Sequence, residues 1–292
     1  MRARGLPLLW ALLLAGAGGC AGPIEMQDIF YDERGGDDTS LDMYLPDDGG
    51  TARPAVVFIH GGAWSAGDKV EYLLSARRMG GSGYVAATLN YRLVPDAVYP
   101  NAMQDVRCAL AFLRTNAVEY GLDPARIAVV GYSSGGHLAS MLGVAEGEPE
   151  LEPDCAAGTT GPANAVVAGA GIHDLRLMAG SGSVQDFLGG TLDEVPERYD
   201  RASPVAHVKA GAPPYLLIHG GSDWVVSFEQ SQRMKDALEA AGNSARFLEL
   251  TDQGHFLASG PDPGGEYVLT TTDRPEYWIA LSDFLYETLG AP

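Results

Sequence analysis

This chain predicts an α/β fold, a mostly parallel central sheet with helices on both faces. Three observations carry that expectation. Short continuous apolar runs such as Pro54-Ala55-Val56-Val57-Phe58-Ile59 and Ile127-Ala128-Val129-Val130 read as strands buried on both faces, the mark of a parallel sheet. Segments with apolar residues at helical spacing alternate with those runs. Between one strand and the next helix sits Gly131-Tyr132-Ser133-Ser134-Gly135, the form of a sharp strand-to-helix turn that pushes a serine hydroxyl out of the backbone. With 292 residues, 46% apolar and 20% charged, the chain can bury one large core, and no linker divides it.

At the N-terminus, Arg2 and Arg4 precede the apolar run Leu6 to Ala15, followed by small residues up to Cys20. This is the pattern of an export signal over residues 1–20, too short to span a bilayer in the mature protein. Ala17-Gly18-Gly19-Cys20 resembles a bacterial lipoprotein box, with lipid attached to Cys20, although Ala17 stands where leucine is more usual. The alternative is ordinary cleavage after Ala15-Gly16-Ala17. Either route places the mature protein, residues 21–292, outside the cytoplasm, tethered to a membrane if Cys20 is lipidated.

Beyond that leader the elements follow in order. Gln27 to Tyr31 and Leu41 to Leu45 read as strands separated by the turn-rich Asp32 to Thr39. Strand Pro54 to Ile59, helix Lys69 to Met79, strand Tyr84 to Asn90 and helix Asn101 to Tyr120 come next. Strand Ile127 to Val130, helix Gly136 to Val144 and strands Ala165 to Ala170 and Tyr215 to Ile218 continue the alternation. Helix Ser227 to Ala241, strand Ala245 to Leu250 and helix Pro275 to Leu289 complete it. Two loop-rich stretches, about 146–162 and 174–213, interrupt the pattern and are expected over the C-terminal edge of the sheet, where ligands bind in open α/β folds. The second is a candidate cap, or pocket wall.

Charge and cysteine content narrow the function classes. The formal net charge is −19, and −21 once a signal carrying Arg2 and Arg4 but no acid is removed. Nucleic acid is therefore not an expected partner, because phosphate binding needs clustered Lys and Arg. With Cys20 assigned to lipid, Cys108 and Cys155 remain, either as a disulfide or as two buried thiols. No Cys/His spacing suggests zinc, and no metal or organic cofactor is expected.

A serine hydroxyl is a poor nucleophile near neutral pH and needs a base that is itself oriented by a third group. On a sheet with such a turn the partners follow in the order serine, acid, histidine, each at the C-terminal end of a strand. Ser133 is the candidate nucleophile. Asp223, in the loop after strand Tyr215 to Ile218, is the candidate acid, with Asp252 as its rival. His255, after the last strand, is the candidate base, while His60, His137, His173, His207 and His219 read as structural. His60-Gly61-Gly62-Ala63-Trp64 follows the strand ending at Ile59, where small residues let backbone approach a substrate, and the amides of Gly62, Ala63 and Ser134 are the candidate oxyanion hole. Trp64, Tyr132, Phe187 and Trp224 are candidate pocket residues, although large rings at loop ends also pack onto a core.

These residues resemble the α/β-hydrolase carboxylesterases, in particular the bacterial feruloyl-esterase-like group (BD-FAE-like), related to hormone-sensitive-lipase-like esterases and kynurenine formamidases. The likeness runs from about Gln27 to the C-terminus. Its marks are His60 to Trp64, Asn90-Tyr91-Arg92-Leu93, Gly131 to Leu138, Ser203-Pro204, Pro213-Pro214 to Gly220, Asp223 and Gly254-His255. Ala63 replaces the third glycine of the hormone-sensitive-lipase pattern. The resemblance implies an α/β-hydrolase fold, the triad Ser133, Asp223 and His255, and hydrolysis of a small-molecule carboxylic ester. Amide hydrolysis, and a non-catalytic binding role on the same scaffold, remain the alternatives.

Overall fold

The computed structural model describes residues 22–153, 155, 158, 161–255 and 274–292. The expected signal at 1–20, with its candidate lipidation site Cys20, lies outside them. The strands are β1 (Ile24–Phe30), β2 (Ser40–Leu45), β3 (Arg53–Ile59), β4 (Val85–Leu89), β5 (Leu122–Tyr132), β6 (Ala165–Gly169), β7 (Tyr215–Gly220) and β8 (Ala245–Leu250). They form one sheet in the order β1-β2-β4-β3-β5-β6-β7-β8. β2 runs antiparallel to β1 and to β4, and every pairing from β4 through β8 is parallel.

The helices are α1 (Leu73–Gly81), α2 (Asn101–Thr115), α3 (Ser134–Val144), α4 (Gly182–Leu188), α5 (Pro196–Arg201), α6 (Glu229–Ala240) and α7 (Pro275–Leu289). Because successive side chains of a strand point to opposite faces, β3 feeds both cores: Val57 and Ile59 meet Met103, Val106 and Leu110 of α2 on one side, and Val56 and Phe58 join Ala76, Leu281 and Phe284 of α1 and α7 on the other. All five residues of β4 and of β6 are buried, as a sheet covered on both faces requires.

Two expected helices differ in detail. The stretch from Lys69 opens as a 3₁₀ turn, Lys69–Tyr72, closed by a capping box between Asp68 and Glu71, and becomes α-helical only at Leu73. The long helix ends at Thr115 rather than Tyr120. Asn116 returns its side-chain amide to the Phe112 carbonyl at 2.8 Å, and the chain then turns through Gly121, whose φ is +67°. The apolar periodicity continues past that point only because Ala117 and Tyr120 pack on the core from a turn.

The interruption at 146–162 is fastened to α2 by a disulfide between Cys108 and Cys155. Glu150 in the same stretch accepts the Tyr99 hydroxyl at 2.8 Å and pairs with Arg201 of α5 at 3.0 Å. The bridge closes a loop of 47 residues. Chain-entropy reasoning gives such a closure about 4 kcal/mol. The Cys155→Ser variant, unfolded in urea, should therefore lose about that much stability; a loss under about 1 kcal/mol would mean that the loop is already ordered in the unfolded chain.

Candidate active site

The turn after β5 is set by close backbone packing. Ser133 has φ +55° and ψ −122°, a conformation that L residues avoid, and its amide donates to the Gly169 carbonyl at 2.8 Å. A Cβ on Gly131 would lie 2.1 Å from the Gly135 carbonyl oxygen, and one on Gly135 would lie 2.1 Å from that of Ile59. Glycine at these two positions is what allows α3 to start this close to β5 and β3. The result aims the Ser133 hydroxyl across the C-terminal edge of the sheet.

Two later strands bring partners to that hydroxyl. His255, after β8, places Nε2 3.1 Å from Ser133 Oγ and Nδ1 2.7 Å from Asp223 Oδ2. Asp223 follows β7. Its Oδ1 accepts the amides of Val225 and Val226, both at 2.9 Å. Burial alone would push this carboxyl up, but hydrogen bonds from His219 and His255 outweigh burial and hold it well below the usual carboxylate range. The rival Asp252 is exposed and pairs with Arg274 at 3.0 Å, away from this cluster.

His219 adds a contact that the sequence reading did not assign. Its side chain is fully buried; Nε2 lies 3.2 Å from Asp223 Oδ2 and 3.0 Å from the Val226 carbonyl, while Nδ1 lies 2.7 Å from Ser231 Oγ on α6. Two acceptors face Nε2, so that nitrogen carries the hydrogen and Nδ1 accepts from the serine hydroxyl. Both oxygens of Asp223 thus accept two hydrogen bonds each, which fixes the carboxylate plane. The sequence signal for this was His219 four residues before the acid at a strand end, and it becomes readable only with the turn geometry.

The loop after β3 passes directly beside Ser133: a Cβ on Gly61 would lie 3.5 Å from that of Ser133. His60 is buried, donates from Nδ1 to the Gly61 carbonyl at 2.8 Å and stacks on Tyr91 at 4.3 Å. Burial pushes its imidazole down to about 4, so it stays a neutral brace.

The candidate pocket residues separate into three kinds. Trp64 and Phe187 are 2% and 0% exposed and stack on each other at 4.3 Å, so both rings are packed into the interior, where α4 meets the loop after β3. Tyr132 is largely buried, its ring centroid 5.4 Å from that of His255. Trp224 is 82% exposed at the rim beside Asp223. Among the described residues, no group of three His, Cys, Asp or Glu is placed to hold a metal ion, and no helix is long and apolar enough to cross a membrane.

Comparison with known proteins sets this geometry in context. The BD-FAE family model matches residues 41–238. Esterase LipC of Mycobacterium tuberculosis is 33% identical over 211 residues, covering 69% of this chain and 52% of that protein. The chain spans about half the length of the curated relatives it matches. Among solved structures, a truncated carbohydrate esterase from gut microbiota superposes with a TM-score of 0.76 at 28% identity, covering 94% of this chain and 99% of that one. Thermogutta terrifontis esterase 2, solved phosphorylated by paraoxon, gives 0.72 at 25% identity over 96% of this chain and 99% of that one. The fold is the α/β-hydrolase fold, as expected.

Proposed function

Because the chain belongs to the BD-FAE family, we propose that it is a serine carboxylic-ester hydrolase working through Ser133, His255 and Asp223. The observation that carries this reading is His255 bridging the other two, 3.1 Å from the serine oxygen and 2.7 Å from the carboxylate. Ser133 Oγ attacks the ester carbonyl as its proton passes to His255 Nε2, giving a tetrahedral oxyanion stabilised by the amides of Gly62, Ala63 and Ser134. The same proton goes to the departing alcohol, leaving an acyl-enzyme. Water, deprotonated by the same nitrogen, then releases the carboxylic acid. Throughout, the Nδ1 hydrogen points at Asp223, whose charge steadies the imidazolium.

The substrate is a small ester approached along the rim marked by Trp224, and no metal or organic cofactor enters a step. Export belongs to the same reading, with residues 1–20 as signal and lipid on Cys20 as the tether. The Cys108–Cys155 bridge supports it, since disulfides persist in oxidising compartments.

Incubation with a fluorophosphonate, followed by peptide mass spectrometry, should label Ser133 alone, and short-chain p-nitrophenyl esters should be cleaved only by protein that is unlabelled. Label on another residue, or ester cleavage undiminished after full labelling of Ser133, would reject the assignment. Labelling without turnover of any ester in a panel of feruloyl, acetyl-sugar and aliphatic substrates would favour amide hydrolysis.

A further inference from the structure

The oxyanion loop is held in a conformation that its own residues disfavour. Gly62, Ala63 and Trp64 have φ of +99°, +55° and +58°. For alanine, and more so for tryptophan, the left-handed region is costly, and two such residues in succession persist only where the surroundings over-determine them. Short-range bonds account for part of this: the amides of Ser65 and Ala66 donate to the Gly62 carbonyl at 3.1 and 3.0 Å. They close the turn without fixing where it sits relative to Ser133.

The Val94 amide, donating to the Trp64 carbonyl at 2.9 Å, ties the turn to the segment after β4, and the Trp64 side chain ties it to the helix that follows Ser133. Its indole Nε1–H donates to His137 Nδ1 at 3.2 Å, and its face stacks on Phe187 of α4 at 4.3 Å and 10°. His137 lies one turn into α3, and its amide donates to the carbonyl of Ser133 at 3.0 Å. Its other nitrogen, Nε2, donates to the Ala202 carbonyl just after α5 at 2.7 Å. The ring is therefore a neutral bridge with its acceptor turned to the loop and its donor to the cap. One bond thus joins the two halves of the proposed hole: the loop with the Gly62 and Ala63 amides, and the helix that begins with the Ser134 amide.

We propose that Trp64 and His137 are positioning residues for the oxyanion hole, their indole–imidazole hydrogen bond setting the distance between the Gly62/Ala63 amides and the Ser134 amide. The inference rests on the hydrolase reading above and goes beyond it by giving the cap, through Phe187 and Ala202, a share in transition-state stabilisation. Donors that are displaced bind a ground-state carbonyl nearly as well as before, but miss the oxyanion.

The test uses Trp64→Phe, which keeps an aromatic ring for Phe187 and deletes the donor. It should lower kcat about 10- to 100-fold with KM changed less than about threefold, the scale of displaced catalytic groups. The inhibition constant of an alkyl boronic acid, which forms a tetrahedral adduct on Ser133, should rise by the same factor as kcat/KM falls. His137→Asn, whose Oδ1 reproduces the acceptor near the position of Nδ1, should retain kcat within about fivefold, while His137→Leu should match the loss in Trp64→Phe. The double variant Trp64→Phe/His137→Leu should lose no more than either single one, because both remove the same bond. Parental kcat and boronate affinity in Trp64→Phe would overturn the proposal, as would equal losses in His137→Asn and His137→Leu. These outcomes are separable from failure of the hydrolase reading, which would appear in the parent protein as fluorophosphonate label away from Ser133.

Discussion

Asp223→Asn should lower kcat by about 10,000-fold while the circular dichroism spectrum stays that of the parent, the scale seen for the equivalent change in serine proteases. The carboxylate sits among four donors: two backbone amides on Oδ1, and the hydrogens on His255 Nδ1 and His219 Nε2 on Oδ2. Asparagine can keep its carbonyl on the amides, which preserves the turn. Its NH₂ group then faces two ring N–H donors, and the conflict is relieved most easily by moving the His255 hydrogen to Nε2. That tautomer cannot accept the proton of Ser133. The parallel change Asp252→Asn, at an exposed carboxylate paired with Arg274, should leave turnover within about twofold. A near-parental rate for Asp223→Asn would place the acid elsewhere, and a large loss in Asp252→Asn would point to where.

How much of this was legible in the sequence varies with the range of the interaction that decides it. Strand β8 and helix α7 fall at the expected residues because local signals mark their ends: Ala241-Gly242-Asn243 before the strand, Pro275 at the first turn of the helix and Gly290 after it. The order Ser133, Asp223, His255 was readable because each follows a strand of one parallel sheet, whose C-terminal ends share an edge. The burial of Trp64 against Phe187 is not legible, because their stacking spans more than a hundred residues and depends on how α4 folds back over the loop. The role of His219 was hidden for a similar reason. A histidine four residues from an aspartate across a strand end says nothing about orientation until Val225 and Val226 pin the carboxylate. Burial of a titratable ring is also invisible in sequence, and the response of the protein to acid is expected to follow from it.

Stability should fall steeply as pH drops from about 6.5 towards 4, with the onset near the ordinary imidazole range rather than the carboxylate range. Burial pushes His60 and His137 down to about 4 and His173 down to about 3. His173 is the extreme case, since neither ring nitrogen has a hydrogen-bond partner among the described residues. In the unfolded chain each would bind a proton near 6.5. Between those values the unfolded state therefore holds more protons than the folded one, so stability rises with pH across the window and is fully present only above it. Three such groups give a slope of up to about 4 kcal/mol per pH unit. Asp105 and Glu71, whose carboxyls burial pushes up, act in the opposite sense and trim that slope at its acid end. Urea midpoints measured from pH 7.5 to 4.5 should trace this decline, and His173→Leu, close to histidine in volume, should reduce proton uptake on unfolding by about one. A midpoint that is level down to pH 5, or a slope unchanged in His173→Leu, would show that these rings take up protons inside the folded protein. The neutral form of His137 that bridges Trp64 to the cap would then not persist in acid.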